Sequence, residues 1–162
     1  MIRGNRASFS VSSDTKTVGE ISALLGMQPD RWGDRGDLTP AGRAGRSSSP
    51  ERLTYERTFW SLTETVYDPG ADDQTGFSAL RALVRKLEPR AEALAELRHD
   101  GDTVLWWSGD SDSTQGGFVL EEDLIRGLAT LGCSLYGTAY LDGDEAEHPP
   151  SDGDAAVFQP DI

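Results

Sequence analysis

The sequence predicts a single α+β domain, with a mostly antiparallel or mixed sheet and helices packed mainly on one of its faces. Three observations predict it. The chain is 162 residues long, enough to bury one core without cross-links. Stretches with apolar residues at every second position are interleaved with stretches at three-and-four spacing, the two periods of strand and helix. Runs of Gly, Pro, Ser and Asp separate them, and the order is not the strict alternation of strand and helix that builds a wholly parallel sheet.

Each element follows from its residues. ASFSVSS (7–13) sets Phe9 and Val11 among small or polar neighbours, as in a half-buried strand. Val18, Ile21, Leu24 and Leu25 form a helical stripe with cap candidates Asp14, Thr15 and Thr17 before it; Gly26 is its stop, and Pro29 blocks continuation. From 29 to 53 the chain is rich in Arg, Gly, Ser and Pro and has no periodicity, so it reads as a long loop, either functional or partly disordered. TFWSLTETV (58–66) is a strand with Trp60, Leu62 and Glu64 on one face and Phe59, Ser61 and Thr63 on the other.

Phe77, Leu80, Val84, Leu87, Ala91 and Leu94 make the clearest amphipathic helix, which Pro89 kinks or divides. TVLWWSG (103–109) is a strongly β-prone strand, a polar turn follows, and FVL (118–120) reads as a short further strand. A last helix over 121–131 stops at Gly132, and SLYGTAYL (134–141) alternates as a closing strand. VGEISALLGM and DLIRGLATLGCSL share a helix running into Leu-Gly and an extended segment, which suggests a βαβ-like duplication. The domain is therefore expected over 1–141, with 142–162 an acidic, flexible tail.

Charge narrows the function classes. The formal net charge is −13, which disfavours general affinity for nucleic-acid backbones and favours a basic partner. The tail carries seven acids and no Lys or Arg, whereas six arginines lie between Arg31 and Arg57. A lone Cys133 excludes an internal disulfide framework and suits a reducing compartment. With no apolar leader and no uncharged apolar run of spanning length, the expectation is a cytoplasmic protein with no membrane role.

The segments ASFSVSSD, ISALLGMQPD with a later RGD, WSLTE, LRALVRKLEP and DLIRGLATLGCSLYGTAY together resemble the bacterial family catalogued as domain of unknown function 4279. The resemblance runs from about Ala7 to Leu141 and rests on apolar and glycine positions. It implies a small bacterial cytosolic α+β protein, for which an immunity role is plausible. It supplies no catalytic residues.

Several stretches invite chemical readings. Arg31, Trp32 and Arg35 in GMQPDRWGDRGD combine guanidinium forks with an aromatic platform, suited to carboxylate or phosphate; Asp30, Asp34 and Asp37 could instead neutralise them internally. Adjacent Trp106 and Trp107 must face opposite sides of a strand, so one is core and the other needs a cover or a partner. Asp110, Asp112 and Thr114 spell the D-x-D-x-T of a phosphatase nucleophile loop, but too little chain follows to build the doubly wound domain that motif opens. As a calcium loop the same residues have Gln115 where glycine is needed, and a turn between strands explains them better.

Cys133 has no recognisable base in His99 or His148 and reads as packing. With one cysteine and two histidines, a structural zinc site is not expected, and no phosphate-loop or dinucleotide motif occurs. The expectation is thus a non-enzymatic protein-binding domain without metal or cofactor. Its most concrete form is an acidic immunity or inhibitor protein that neutralises a basic toxin or nuclease. The alternatives are an anion-binding module at Arg31, Trp32 and Arg35, and a metal-dependent phosphohydrolase using Asp110 and Asp112.

Overall fold

In chain order the elements are β1 (Ile2–Ser13), α1 (Val18–Leu25), β2 (Arg31–Gly33), α2 (Pro40–Arg43), β3 (Thr58–Tyr67) and α3 (Ser78–Leu87). A 3₁₀ turn (Glu88–Arg90) then leads to α4 (Ala91–Asp100), β4 (Gly101–Ser111), α5 (Glu122–Leu131) and β5 (Ser134–Leu141). They come from a computed structural model that describes residues 2–46, 49, 52–67, 76–111 and 119–141. The strands form one mixed sheet in the order β2-β3-β1-β4-β5. β1 is central and antiparallel to β3 and β4, β2 is antiparallel to β3, and β4 and β5 are parallel. The predicted α+β class with a mixed sheet holds.

The helices lie over one face because period-two alternation sends the apolar side chains of the strands there. Ala7, Phe9 and Val11 of β1, Trp60 and Leu62 of β3, and Leu105 and Trp107 of β4 are buried against Ile21 and Leu25, Leu80, Leu83 and Leu87, Leu94 and Leu97, and Leu124 and Leu131. The polar tips of the buried indoles are satisfied. Trp60 Nε1 donates to Ser22 Oγ at 3.0 Å and Trp107 Nε1 to the Gly76 carbonyl at 2.9 Å. Buried Asn5 on β1 accepts the Ala79 N–H at 2.8 Å, so the central strand caps the start of α3, whose own N-cap residue Phe77 offers no side-chain acceptor. Gly127 lets α5 approach α3, since a Cβ there would lie 2.6 Å from Val84 Cγ1.

Proline divides the long helix as its chemistry demands: Pro89 sits inside the 3₁₀ turn between α3 and α4. Three expectations need correction. The segment 29–53 is not featureless, for it contains β2, the one-turn α2 and an isolated bridge between Leu38 and Thr54. Of the expected 118–120 strand, Val119 and Leu120 lie outside any strand, and Phe118 lies outside the described residues. β1 begins at Ile2 rather than Ala7, because a central strand is held by ladders on both sides and needs no apolar alternation at its end.

The Leu-Gly repeat has a common geometry. Gly26 and Gly132 both take the left-handed conformation, at φ 61° and φ 63°, and each donates its N–H back into the last turn. An arginine side chain donates to the preceding leucine carbonyl in both cases, Arg90 to Leu25 and Arg98 to Leu131. The strands that follow occupy opposite edges. β4-α5-β5 is a true βαβ unit with neighbouring parallel strands, whereas β1 and β2 have β3 between them.

Candidate functional site

The DRWGDRGD stretch is held at both ends by its aspartates. Asp30 accepts the Thr63 N–H at 2.7 Å and Asp34 accepts the Val18 N–H at 2.7 Å, tying β2 to β3 and to the first turn of α1. Asp37 accepts the Asp34 N–H at 3.0 Å. These carboxylates therefore serve backbone groups, and among the described residues none of them pairs with Arg31 or Arg35. Internal neutralisation of the arginines, one of the readings above, is not what the aspartates do.

The structure separates the three residues that the sequence grouped. Arg31 stands opposite Ser61 and Trp32 opposite Trp60, so their side chains leave opposite faces of the sheet. Trp32 is 56% exposed beside the helical layer. Arg35 lies beyond the strand and lines an open cleft of about 610 Å³ with Asp14, Gly36, Thr54, Tyr55, Glu56 and Arg57. The aromatic residue in this cleft is Tyr55, which stacks on Phe59 with ring centroids 6.1 Å apart and covers Gly33.

Two guanidinium groups with different electrostatics meet there. Arg57 is clamped between Asp102 and Asp14, and its Nη2 donates to the Ser12 carbonyl at 3.2 Å. Its Nε lies 3.1 Å from the Asp14 carboxylate but lacks the alignment of a hydrogen bond. The Asp102 hydrogen bond, reinforced by both carboxylate charges, outweighs partial burial and raises the Arg57 pKa. Arg35 is exposed and has no carboxylate partner among the described residues. Tyr55 and Arg57 escaped the sequence reading because the partners of Arg57 lie some forty residues away on either side, with no local spacing to betray them.

Among the described residues, the opposite face of the sheet carries no helix. Ser8, Ser10 and Ser12 of β1, Thr63 and Thr65 of β3 and Ser108 of β4 form its middle. Trp107 is the core member of the tryptophan pair, tilted against Phe77 at 4.7 Å. Trp106 is covered by a neighbour the sequence did not nominate: Tyr136 of β5 stacks on it at 4.8 Å. Tyr136 and Tyr140 remain 45% and 57% exposed.

Asp110 is exposed at the end of β4, beside Gly4. Asp112 lies outside the described residues, so the D-x-D-x-T geometry does too. Cys133 Sγ packs 3.3 Å from Thr103 Oγ1. Among the described residues no group of three His, Cys, Asp or Glu side chains could hold a metal ion, and no helix is long and apolar enough to cross a membrane.

Ile2, Tyr67, Ser111 and Leu141 meet at one end of the sheet. From that end the chain runs into 68–75, 112–118 and 142–162, which together hold eleven acidic residues and no Lys or Arg. The arginine-bearing cleft lies at the other end, where Ser13, Thr58 and Gly101 are paired.

No curated protein and no solved structure matches the chain. Residues 3–142 match the model of a family described as a domain of unknown function, DUF4279, and with nearly the whole described domain inside that match, the chain belongs to this family.

Proposed function

We propose that the protein is a non-enzymatic binding domain of the cytoplasm that engages a basic protein surface through the acidic end of its sheet, in the manner of an immunity or inhibitor protein. The observation that supports this is that the strand ends leading into three segments whose only charged residues are acidic meet at one end of the sheet, opposite the cleft that holds Arg35 and Arg57, with Arg3 and Arg6 of β1 the cations nearest that acidic end. Such a one-sided field raises encounter rates with a basic partner, while exposed aromatic residues supply contact energy. The test is kinetic. Amide replacements at Asp142, Asp144, Glu145 and Glu147 should slow association with the partner recovered from native cytosol and flatten its salt dependence. A rate indifferent to both the substitutions and salt overturns the reading.

A second reading has its own support: Arg35 stands in an open cleft beside Tyr55 and Arg57, and the nearby aspartates bond to backbone groups. This arrangement suits a small phosphorylated or carboxylated ligand. A ligand at one hundred times its dissociation constant should add about 2.7 kcal/mol of stability, lost in Arg35→Ala. The phosphohydrolase reading at Asp110 and Asp112 would require magnesium-dependent turnover that disappears in Asp110→Asn.

A further inference from the structure

We infer that β5 is a self-association edge, which pairs antiparallel with β5 of a second copy about a two-fold axis through Thr138 and joins the two sheets into one. The strand is bonded to β4 on one side, and among the described residues no strand pairs with its other side. Its eight residues, SLYGTAYL, include no charge and no proline, two of the devices that usually keep an edge from pairing.

The sequence of this edge is nearly the same read in either direction. In LYGTAYL (135–141), Leu135 mirrors Leu141, Tyr136 mirrors Tyr140, and Gly137 mirrors the equally small Ala139, all about Thr138. An antiparallel pair centred on Thr138 therefore sets like opposite like: Tyr136 against the partner's Tyr140, Leu135 against the partner's Leu141, and Thr138 against the partner's Thr138. Tyrosine and threonine pairs of this kind stabilise neighbouring strands, and a two-fold contact of one patch with itself closes without growing further.

The three-dimensional setting agrees with that register. Tyr136 and Tyr140 are exposed on the helix-free face, and an axis perpendicular to the sheet keeps this face common to both copies. The antiparallel sense also keeps apart the two acidic ends, which a parallel pairing would bring together. With −13 on each chain, the association should tighten as salt rises, opposite to capture of a basic partner.

Sedimentation equilibrium of the full chain over a range of concentration and salt, combined with disulfide trapping in a Cys133→Ser background, tests the register. Residues directly opposite across an antiparallel pair have Cα atoms about 4.5–5.5 Å apart, within disulfide reach, whereas a shift of four residues puts them about 14 Å apart. T138C should cross-link to itself, Y136C and Y140C should each fail alone, and a mixture of those two should cross-link. T138K, which replaces the threonine pair at the axis with opposed like charges, should raise the dissociation constant about fivefold. A chain that stays monomeric throughout, a dimer indifferent to T138K, or equal cross-linking at all three positions overturns the proposal. So does a monomer that dimerises once residues 142–162 are removed, since the chain's own following segment would then hold the edge.

Discussion

The two edges of the sheet begin from the same punctuation and end differently. Each is reached through a helix that ends in Leu, a left-handed Gly and an arginine donating to the leucine carbonyl. On one side the chain forms a three-residue strand whose flanking aspartates lock it to β3 and α1. On the other it forms an eight-residue uncharged strand with one side unpaired among the described residues. Equivalent helix ends thus deliver edges of different character, one a short strand pinned to its neighbours by side-chain hydrogen bonds and the other a longer, uncharged strand.

The strongest way to break this comparison is at its shared part. Leu25 and Leu131 are both buried, at 2% and 0% exposure, so Leu25→Ala and Leu131→Ala should each cost about 2–5 kcal/mol in urea unfolding. A much smaller loss at Leu131 would show that the β5 side does not share the core. The glycines sharpen the comparison further. A Cβ at Gly26 would meet nothing within 4 Å, whereas at Gly132 it would lie 3.0 Å from Arg98 Cζ. Gly26→Ala should therefore cost about 1–2 kcal/mol from backbone strain alone, and Gly132→Ala should cost more.

The pinned edge has its own test. Asp34→Ala removes the acceptor for the Val18 N–H and should cost about 1 kcal/mol, with faster hydrogen exchange at that amide. Unchanged exchange would detach β2 from α1.

The smallest effect concerns pH and treats the two edge-leading helices alike. Hydrogen bonds from the Thr17 backbone and then its side chain hold Glu20 below its ordinary 4.5, and the Leu124 N–H, ahead of Arg81, holds Asp123 below 3.8. A carboxylate with a depressed folded pKa contributes stability above its unfolded value, and that contribution is lost as pH falls through the folded value. Glu20→Gln combined with Asp123→Asn should lower the unfolding midpoint slightly at neutral pH and flatten its pH dependence below about 4.5. An unaltered acid limb would show that these hydrogen bonds do not contribute to stability.

Much of the fold was legible because it is local. The period of TFWSLTETV placed Trp60 and Leu62 inward, the spacing from Phe77 to Leu94 set the long helix, and Pro89 divided it as a missing N–H requires. Gly26 and Gly132 announced both helix ends. β2 was not legible, since three residues with a buried glycine carry no period, and its pairing depends on aspartates that reach 33 and 16 positions along the chain. The grouping of Arg31 with Trp32 failed for a related reason: adjacency in a strand separates side chains, a fact that enters only once the strand is known.

By itself the sequence determined the α+β class, the helix stops, the inward faces of the long strands and a strongly acidic character. These follow from periodicity, backbone freedom at glycine and proline, and summed charge, all of which act within a few residues or over the whole chain. Strand order, the cleft that joins Arg35 to Arg57, the stacking of Tyr136 on Trp106 and the meeting at one end of the strand ends that lead into three acidic segments were decided by tertiary structure. Each depends on residues brought together from distant positions, and local spacing carries no record of which distant partner satisfies a given hydrogen bond, charge or ring.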